Sequence, residues 1–161
     1  GGIPDQTGES VILSLKKMNS IIEFSPENRT IIAQSGCILQ QIHELVEKQN
    51  LCLPLTLAAK GSCTIGGNLA TNAGGLNVLR YGSMREQCLG LEVVLADGSI
   101  ITQLEPLMKD NTGYDLNNLF IGSEGTLGII TASCLKLVSR PIAKSTSIAV
   151  IEKFEHSLQL L

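Results

Sequence analysis

Short apolar runs separated by polar turns predict a sheet built of small strands, with few long helices. Residues 38–49 are the exception, because their apolar positions recur at helical spacing and predict a helix. The pair Asp97 and Gly98 favours a type I′ turn that joins two strands into a hairpin. This pattern indicates an α+β fold and not a doubly wound parallel sheet. The predicted strands are residues 11–14, 21–24, 30–34, 91–95, 99–102 and 129–138.

The most unusual segment is residues 60–75, which we call the first glycine-rich run. It holds five glycines, two asparagines and three hydroxyl residues, and it lacks acidic residues. Glycine loses more conformational entropy on folding than any other residue, so such a run indicates that main chain must approach something closely. Backbone N–H groups in nest-like turns and at helix N-termini bind phosphate. We therefore predict a phosphate-bearing cofactor, with a glycine-rich surface loop as the alternative.

Residues 120–131 form a second glycine-rich run, with glycines at 122, 125 and 128. No Gly-Lys-Ser/Thr sequence follows, so this is not a Walker loop. The spacing of three resembles a dinucleotide fingerprint only superficially, since that motif follows a strand and opens a helix, whereas this run leads into a strand. Rossmann-type binding is therefore rejected.

Six motifs, in a fixed order after Pro54, resemble the flavin-binding domain of the vanillyl-alcohol-oxidase type, in the branch of D-2-hydroxyacid dehydrogenases. The resemblance runs from residue 1 to about residue 141. It implies a PCMH-type FAD-binding domain, with a mostly antiparallel sheet flanked by helices, of which this chain holds a part. The motifs are residues 61–68, 71–75, 80–82, 91–98, 109–115 and 122–131.

The resemblance also implies an activity. In this family the flavin N5 accepts a hydride from the α-carbon of a D-2-hydroxy acid, and the protein supplies position and electrostatics. D-2-hydroxyglutarate, oxidised to 2-oxoglutarate, is the favoured substrate. A D-lactate or glycolate dehydrogenase and a non-catalytic flavin- or nucleotide-binding module are the alternatives. We expect the chain alone to be inactive, because the family's catalytic and substrate-carboxylate residues lie in a separate cap domain.

Non-covalent FAD is the cofactor that the resemblance implies. The start of the first run is expected to donate hydrogen bonds to the phosphates or ribityl chain, and its amide and threonine side chains to bind the isoalloxazine edge or ribityl hydroxyls. Glu124 is expected to accept from a ribose hydroxyl, with turn capping as its alternative role. The predicted cofactor-binding residues are Pro54, Gly61, Ser62, Thr64, Ile65, Gly66, Gly67, Asn68, Thr71, Asn72, Gly74, Gly75, Glu124, Gly125, Gly128, Ile129 and Ile130.

Two further sites keep two interpretations each. The polar residues 110–114 either brace the flavin loop or form a surface turn. Arg80 either screens the charge of a substrate carboxylate or lies on a neutral surface. The five cysteines and two histidines show no metal-ligand spacing, so no metal is expected in this chain. The family's divalent metal, such as zinc, is expected only in the cap.

The residue pattern of the sequence changes near residue 141, where we place a domain boundary. Residues 1–141 are assigned to the FAD-binding domain without its N-terminal part, and residues 142–161 to the start of a truncated substrate-binding cap. Within the latter, 145–151 are predicted to be a strand and 152–161 a helix.

Charge and hydropathy exclude some partners. A net charge of -3 does not favour nucleic acid, and no apolar run approaches the roughly 20 residues of a membrane span. Expected partners are the 2-hydroxy acid and an electron acceptor such as an electron-transfer flavoprotein. The resemblance implies the mitochondrial matrix, with a targeting segment outside this chain.

Overall fold

A computed structural model describes residues 7–143, 145–148, 150–151 and 153–159. Its main feature is a five-stranded antiparallel sheet in the order β1-β2-β6-β4-β5. A smaller antiparallel sheet pairs β3 with β7. The strands are β1 Ile21–Ser25, β2 Thr30–Gln34, β3 Leu51–Cys52, β4 Cys88–Val94, β5 Ile100–Gln103, β6 Ile129–Lys136 and β7 Val138–Ser139.

One longer helix and several short ones accompany the sheets. The helix α1 spans Leu39–Glu47 and buries Leu39, Ile42 and Val46 at helical spacing, so the helix predicted at 38–49 is confirmed with shorter bounds. None of the helices in the described part of the chain is long and apolar enough to cross a membrane. The others are α2 Ile65–Ala70, α3 Val78–Tyr81, α4 Met84–Gln87, α5 Asn117–Phe120 and a 3₁₀ helix at Phe154–Gln159.

The core lies on one face of the main sheet and positions α2. Ile31, Leu91 and Leu135, from three adjacent strands, are almost wholly buried there. Ile65 and Leu69 of α2 are fully buried, and the helix packs against β2 and β6. The first glycine-rich run is therefore fixed to the sheet through the apolar side of a short helix. The predicted α+β, mostly antiparallel architecture is confirmed.

Two predicted strands are wrong. Residues 11–14 have no strand conformation, and Val11, Ile12 and Leu13 are exposed. A strand needs a neighbouring strand to pair with its backbone N–H and C=O groups. Among the described strands β1 pairs with β2 alone, so residues 11–14 do not add a strand beside β1. The strand predicted at 145–151 is absent from its described residues, and residue 149 lies outside them.

The end of the chain and the last long strand also differ from the prediction. The helix predicted at 152–161 is a 3₁₀ helix at Phe154–Gln159, and residues 152, 160 and 161 lie outside the described residues. The strand predicted at 129–138 is divided at Leu137, whose N–H donates to the Arg29 carbonyl at 2.7 Å. After this division the chain leaves the main sheet and pairs with β3. The boundary near residue 141 stays a prediction.

The hairpin between β4 and β5 exists, but its turn is not type I′. That type requires positive φ at both central residues, and only Gly98 has it, at 83°. The Gly98 N–H donates to the Leu95 carbonyl at 3.0 Å, and the Leu95 N–H donates to the Ser99 carbonyl at 2.9 Å. This is the three-residue loop with a left-handed glycine at its end. Asp97 supports it by accepting from the Ser99 N–H and hydroxyl.

Candidate functional site

The first glycine-rich run folds into a turn followed by α2. The Thr64 hydroxyl caps the helix by accepting from the Gly67 N–H at 3.2 Å. The N–H groups of Ile65 and Gly66 donate to the carbonyls of Cys37 and Ser35, at 2.9 and 2.8 Å. Protein acceptors thus occupy the first N–H groups of α2, and the helix start does not supply the free donors that a phosphate site needs.

Two glycines of this run are required by packing. A Cβ on Gly66 would lie 2.5 Å from the Ser35 Cβ and 2.7 Å from its hydroxyl oxygen. Gly75 has a φ of +71°, and a Cβ there would lie 2.4 Å from the Thr56 carbonyl oxygen. At these two positions the main chain approaches Ser35 and Thr56, and its predicted approach to a cofactor stays a prediction.

The exposed side of the run carries the remaining candidates. Gly61, Ser62, Gly67 and Thr71 are exposed, whereas Asn68 is only 5% exposed. The Thr71 hydroxyl donates to the Gly67 carbonyl at 2.9 Å, and the Asn68 amide donates to the Cys63 sulfur at 3.5 Å. Gly67 is helical and has no positive φ.

Pro54 lies in a buried segment that is attached to the end of the first run. The Asn77 amide donates both to the Pro54 carbonyl and to the Thr56 hydroxyl, each at 3.0 Å. The Leu76 N–H donates to the Thr56 carbonyl at 3.1 Å. Asn77 was not among the predicted site residues, because nothing in its local sequence indicates a partner more than twenty positions earlier.

The second glycine-rich run adopts left-handed backbone. The φ values are 84° at Gly122, 52° at Glu124 and 80° at Gly125. The Gly122 N–H donates to the Leu69 carbonyl at 3.0 Å, and the Glu124 N–H donates to the Ala70 carbonyl at 2.9 Å. The last carbonyls of a helix need external donors, and the second run supplies them to α2. The two runs, far apart in sequence, therefore form one continuous surface.

This surface exposes hydroxyl and backbone groups on the first run and a carboxylate on the second. The Glu124 side chain is exposed and has no hydrogen-bond or ion-pair partner among the described residues. Residues 2–103 match the protein family described as "FAD binding domain".

The chain belongs to this FAD-binding family. The mitochondrial D-2-hydroxyglutarate dehydrogenase of Rattus norvegicus is 51% identical to it over 151 residues, which are 94% of this chain and 28% of the relative. The D-2-hydroxyglutarate–pyruvate transhydrogenase of Saccharomyces cerevisiae is 42% identical over 96% of this chain and 32% of the relative.

A solved structure, titled alkyldihydroxyacetonephosphate synthase, matches with a TM-score of 0.68 and 26% identity, over 80% of this chain and 23% of that one. The FAD-binding fold and the resemblance to D-2-hydroxyacid dehydrogenases are confirmed by these matches. The chain spans 28% of the length of the rat relative.

Within this FAD-binding domain, the three predicted residues at the end of the second run lie close to the sheet. A Cβ on Gly128 would lie 2.6 Å from a methyl carbon of Val93, so packing on β4 requires a glycine there. Ile129 and Ile130 begin β6, and Ile130 is buried. Their expected contact with the adenosine half stays a prediction.

Arg85 is a residue that sequence reasoning missed. Its N–H donates to the Asn72 side-chain oxygen at 3.0 Å, and its guanidinium donates to the carbonyls of Asn118 and Ile121. Ser83 and Glu86 form a capping box that starts α4 around it, and hydrogen bonding from Ser83 lowers the pKa of Glu86. The Ser-x-x-Glu spacing could have revealed this helix start.

The polar residues 110–114 are bonded among themselves and to β5. Asp110 accepts from the N–H and hydroxyl of Thr112 and from the Gln103 amide. Hydrogen bonding from Thr112 lowers the pKa of Asp110. The two interpretations of this cluster, a brace for the flavin loop and a surface turn, both stay predictions.

The guanidinium of Arg80 lies 5.2 Å from the centre of the Tyr81 ring. The proposed role of Arg80 toward a substrate carboxylate stays a prediction.

Buried thiols in this domain are protonated near neutral pH. All five cysteines are free, and burial raises the pKa of Cys88 to about 12 and that of Cys134 to about 11. A protonated thiol is a poor nucleophile and a poor metal ligand. No group of three or more His, Cys, Asp or Glu residues in the described part of the chain could hold a metal ion.

Proposed function

We propose that this chain forms the FAD-holding part of a dehydrogenase that oxidises D-2-hydroxyglutarate to 2-oxoglutarate. The observation that carries the proposal is the 51% identity to a D-2-hydroxyglutarate dehydrogenase across 94% of the chain, with both glycine-rich runs included. A D-lactate or glycolate dehydrogenase is the second candidate, since the resemblance implies the same type of FAD-binding domain in these dehydrogenases. The non-catalytic binding module is disfavoured by the intact surface that the two runs share.

The described residues fit FAD in specific ways. The Ser62 and Thr71 hydroxyls are exposed and donate to the carbonyls of Ala59 and Gly67, so their oxygens offer neutral acceptors for ribityl hydroxyls, without a repelling carboxylate in residues 60–75. Glu124, in the second run, offers an exposed carboxylate for a ribose hydroxyl. When bound, FAD supplies the hydride acceptor of the reaction, and these residues bind and orient it. No catalytic base is assigned to this chain.

The FAD is proposed to be non-covalent. Covalent attachment needs a side chain such as His or Cys at the flavin, and His43 lies half-buried on α1 while Cys63 contacts Asn68. A divalent metal such as zinc is proposed only for the cap domain that starts near residue 141. The electron acceptor is proposed to be an electron-transfer flavoprotein. The proposed location is the mitochondrial matrix, and the name of the rat relative includes the word mitochondrial.

The test uses the full-length protein. Purified protein should be yellow, and acid precipitation should release its flavin into the supernatant. With an artificial electron acceptor, kcat/KM should be highest for D-2-hydroxyglutarate among the three candidate substrates. A folded, colourless protein would contradict FAD binding, and a preference for D-lactate or glycolate would favour the second candidate.

A residue-level test addresses the exposed side of α2. Gly67→Val should lower FAD occupancy, because a branched side chain would stand on the surface assigned to the cofactor. Thr102→Val, on the exposed side of β5, serves as the control and should retain full flavin content. Full occupancy in the Gly67 variant would show that FAD does not bind along this side of the helix.

A further inference from the structure

Arg85 lies where the two glycine-rich runs meet. Its backbone N–H donates to the side-chain oxygen of Asn72, which follows α2 in a left-handed conformation with a φ of 47°. This bond holds the end of the first run against the start of α4. The fixed backbone of Arg85 then directs its side chain toward α5 and the second run.

The guanidinium contacts residues just before the left-handed segment. Nη1 donates to the carbonyl and side-chain oxygens of Asn118, and Nη2 donates to the Ile121 carbonyl at 2.6 Å. These acceptors are uncharged. Among the described residues the ion pair is that of Arg140 with Glu47, so no carboxylate forms a salt bridge with Arg85.

The peptide group between Ile121 and Gly122 is held from both sides. Its carbonyl accepts from Arg85, and its N–H donates to the Leu69 carbonyl at the end of α2. A position for a Cβ on Gly122 lies 3.4 Å from the Arg85 Nη2 atom, so the arginine also lies directly beside this glycine. Removing the guanidinium would free one side of this peptide group, at the point where the left-handed backbone begins.

We propose that Arg85 is a positioning residue that sets the relative placement of the two glycine-rich runs and thereby the affinity for FAD. The proposal concerns the same site as the proposed function and rests on it for the FAD step. The fork of the guanidinium is essential to it, because one side chain must reach the carbonyls of Asn118 and Ile121 together. Lysine carries the charge but lacks the fixed fork.

The first experiment needs no flavin. Amide hydrogen exchange is measured on full-length apoprotein, as wild type, Arg85→Gln, Arg85→Lys and the distant control Arg140→Gln. The amides of Gly122 and Glu124 should exchange about tenfold to a hundredfold faster in Arg85→Gln, as expected for loss of a charged hydrogen bond that supports them. Arg140→Gln should match wild type. Unchanged exchange in Arg85→Gln would overturn the positioning role whether or not the protein binds FAD.

The second experiment measures FAD affinity, with kcat and KM at saturating FAD. Arg85→Gln should raise the dissociation constant by about tenfold to a hundredfold, and Arg85→Lys should fall between it and wild type. At saturating FAD, kcat and the substrate KM should stay near wild-type values. Wild-type affinity in Arg85→Lys would overturn the need for the fork.

Loss of overall stability is controlled by a core variant. Val46→Ala removes two methyl groups from the buried side of α1 and should lower overall stability without removing a hydrogen bond to either run. An equal loss of FAD affinity in Val46→Ala and Arg85→Gln would overturn the proposal, since a general loss of stability would then explain both. If Arg85→Gln does not fold, the exchange rates and FAD affinity of Arg85→Lys decide. A flavin-free wild type with fast exchange in Arg85→Gln would contradict the proposed function alone.

Discussion

The two glycine-rich runs look alike in sequence but use glycine for different physical reasons. In the first run, Gly66 is required by contact, because Ser35 leaves no space for a side chain. In the second run, Gly125 has an open position, with the nearest atom 4.0 Å away, but a φ of +80° that L-residues rarely adopt. Gly66 is limited by space and Gly125 by backbone conformation, although Gly128 in the second run is limited by space and Gly75 in the first run also has a positive φ.

This difference shows what glycine-rich composition can and cannot indicate. The composition correctly indicated that both runs contain positions where a side chain would cause a clash or backbone strain. It could not separate a glycine that packs against its own protein from one that faces a ligand. Of the glycines predicted to bind cofactor, Gly66 and Gly128 are explained by internal contacts, and Gly67 is exposed.

The largest expected effect is at Gly66. Gly66→Ala should lower the free energy of unfolding by about 3 kcal/mol, because the added methyl group would meet the Cβ of Ser35 at 2.5 Å and the backbone of α2 must shift. Urea denaturation measures this. The neighbouring Gly67→Ala should stay within about 1 kcal/mol of wild type, since its Cβ meets only the Thr64 hydroxyl and alanine favours the helix. Equal losses at both positions would erase the spatial explanation.

A smaller effect is expected at Gly125. Gly125→Ala should cost about 1–2 kcal/mol, the strain of placing an L-residue in left-handed backbone, although its side chain meets no obstacle. Gly125→Asn is the matched control and should lose less, because asparagine tolerates this conformation. If alanine and asparagine destabilise equally in urea denaturation, backbone strain is not the reason for glycine in the second run.

The smallest expected effect is a pH dependence of stability that arises from His43 of α1, near Lys60 at the start of the first run. Burial, and then the charge of Lys60, lower the pKa of His43 below its ordinary value of about 6.5. The His43 imidazole is therefore protonated at a higher pH in the unfolded chain than in the folded protein. The contribution of neutral His43 to the free energy of unfolding is complete above pH 6.5 and declines as pH falls toward the folded-state pKa. Wild type should lose more stability between pH 7.5 and 5.5 than His43→Gln, by denaturant midpoints. Parallel losses would exclude His43 as the cause.

The sequence predicted elements from short apolar runs and from helical spacing. The apolar run within 30–34 and the spacing of Ile38, Ile42, Leu45 and Val46 led to β2 and α1, which were confirmed. The one-turn helices α3, α4 and α5 were missed because four residues carry no periodicity. Residues 11–14 have the composition of a strand but no partner strand, and the composition of a segment does not indicate whether a partner strand exists.

The candidate site was predictable in its composition and not in its connections. Both glycine-rich runs were identified, and the FAD-binding family was confirmed. Arg85 was not predicted, because its partners Asn118 and Ile121 lie far along the chain and an isolated arginine has no local pattern. Contacts between distant segments are decided by the fold, and the resemblance did not include this residue.

The bonds from the second run to the end of α2 also have a consequence for the order of folding. A six-residue helix is not stable alone, so α2 needs both the sheet and the donors on Gly122 and Glu124. Those donors are synthesised long after α2, and the entropy of closing so long a loop must be offset before they can dock. We therefore expect the surface that the two runs share to be assembled late in folding, and a nascent chain that ends before residue 122 carries only the first run.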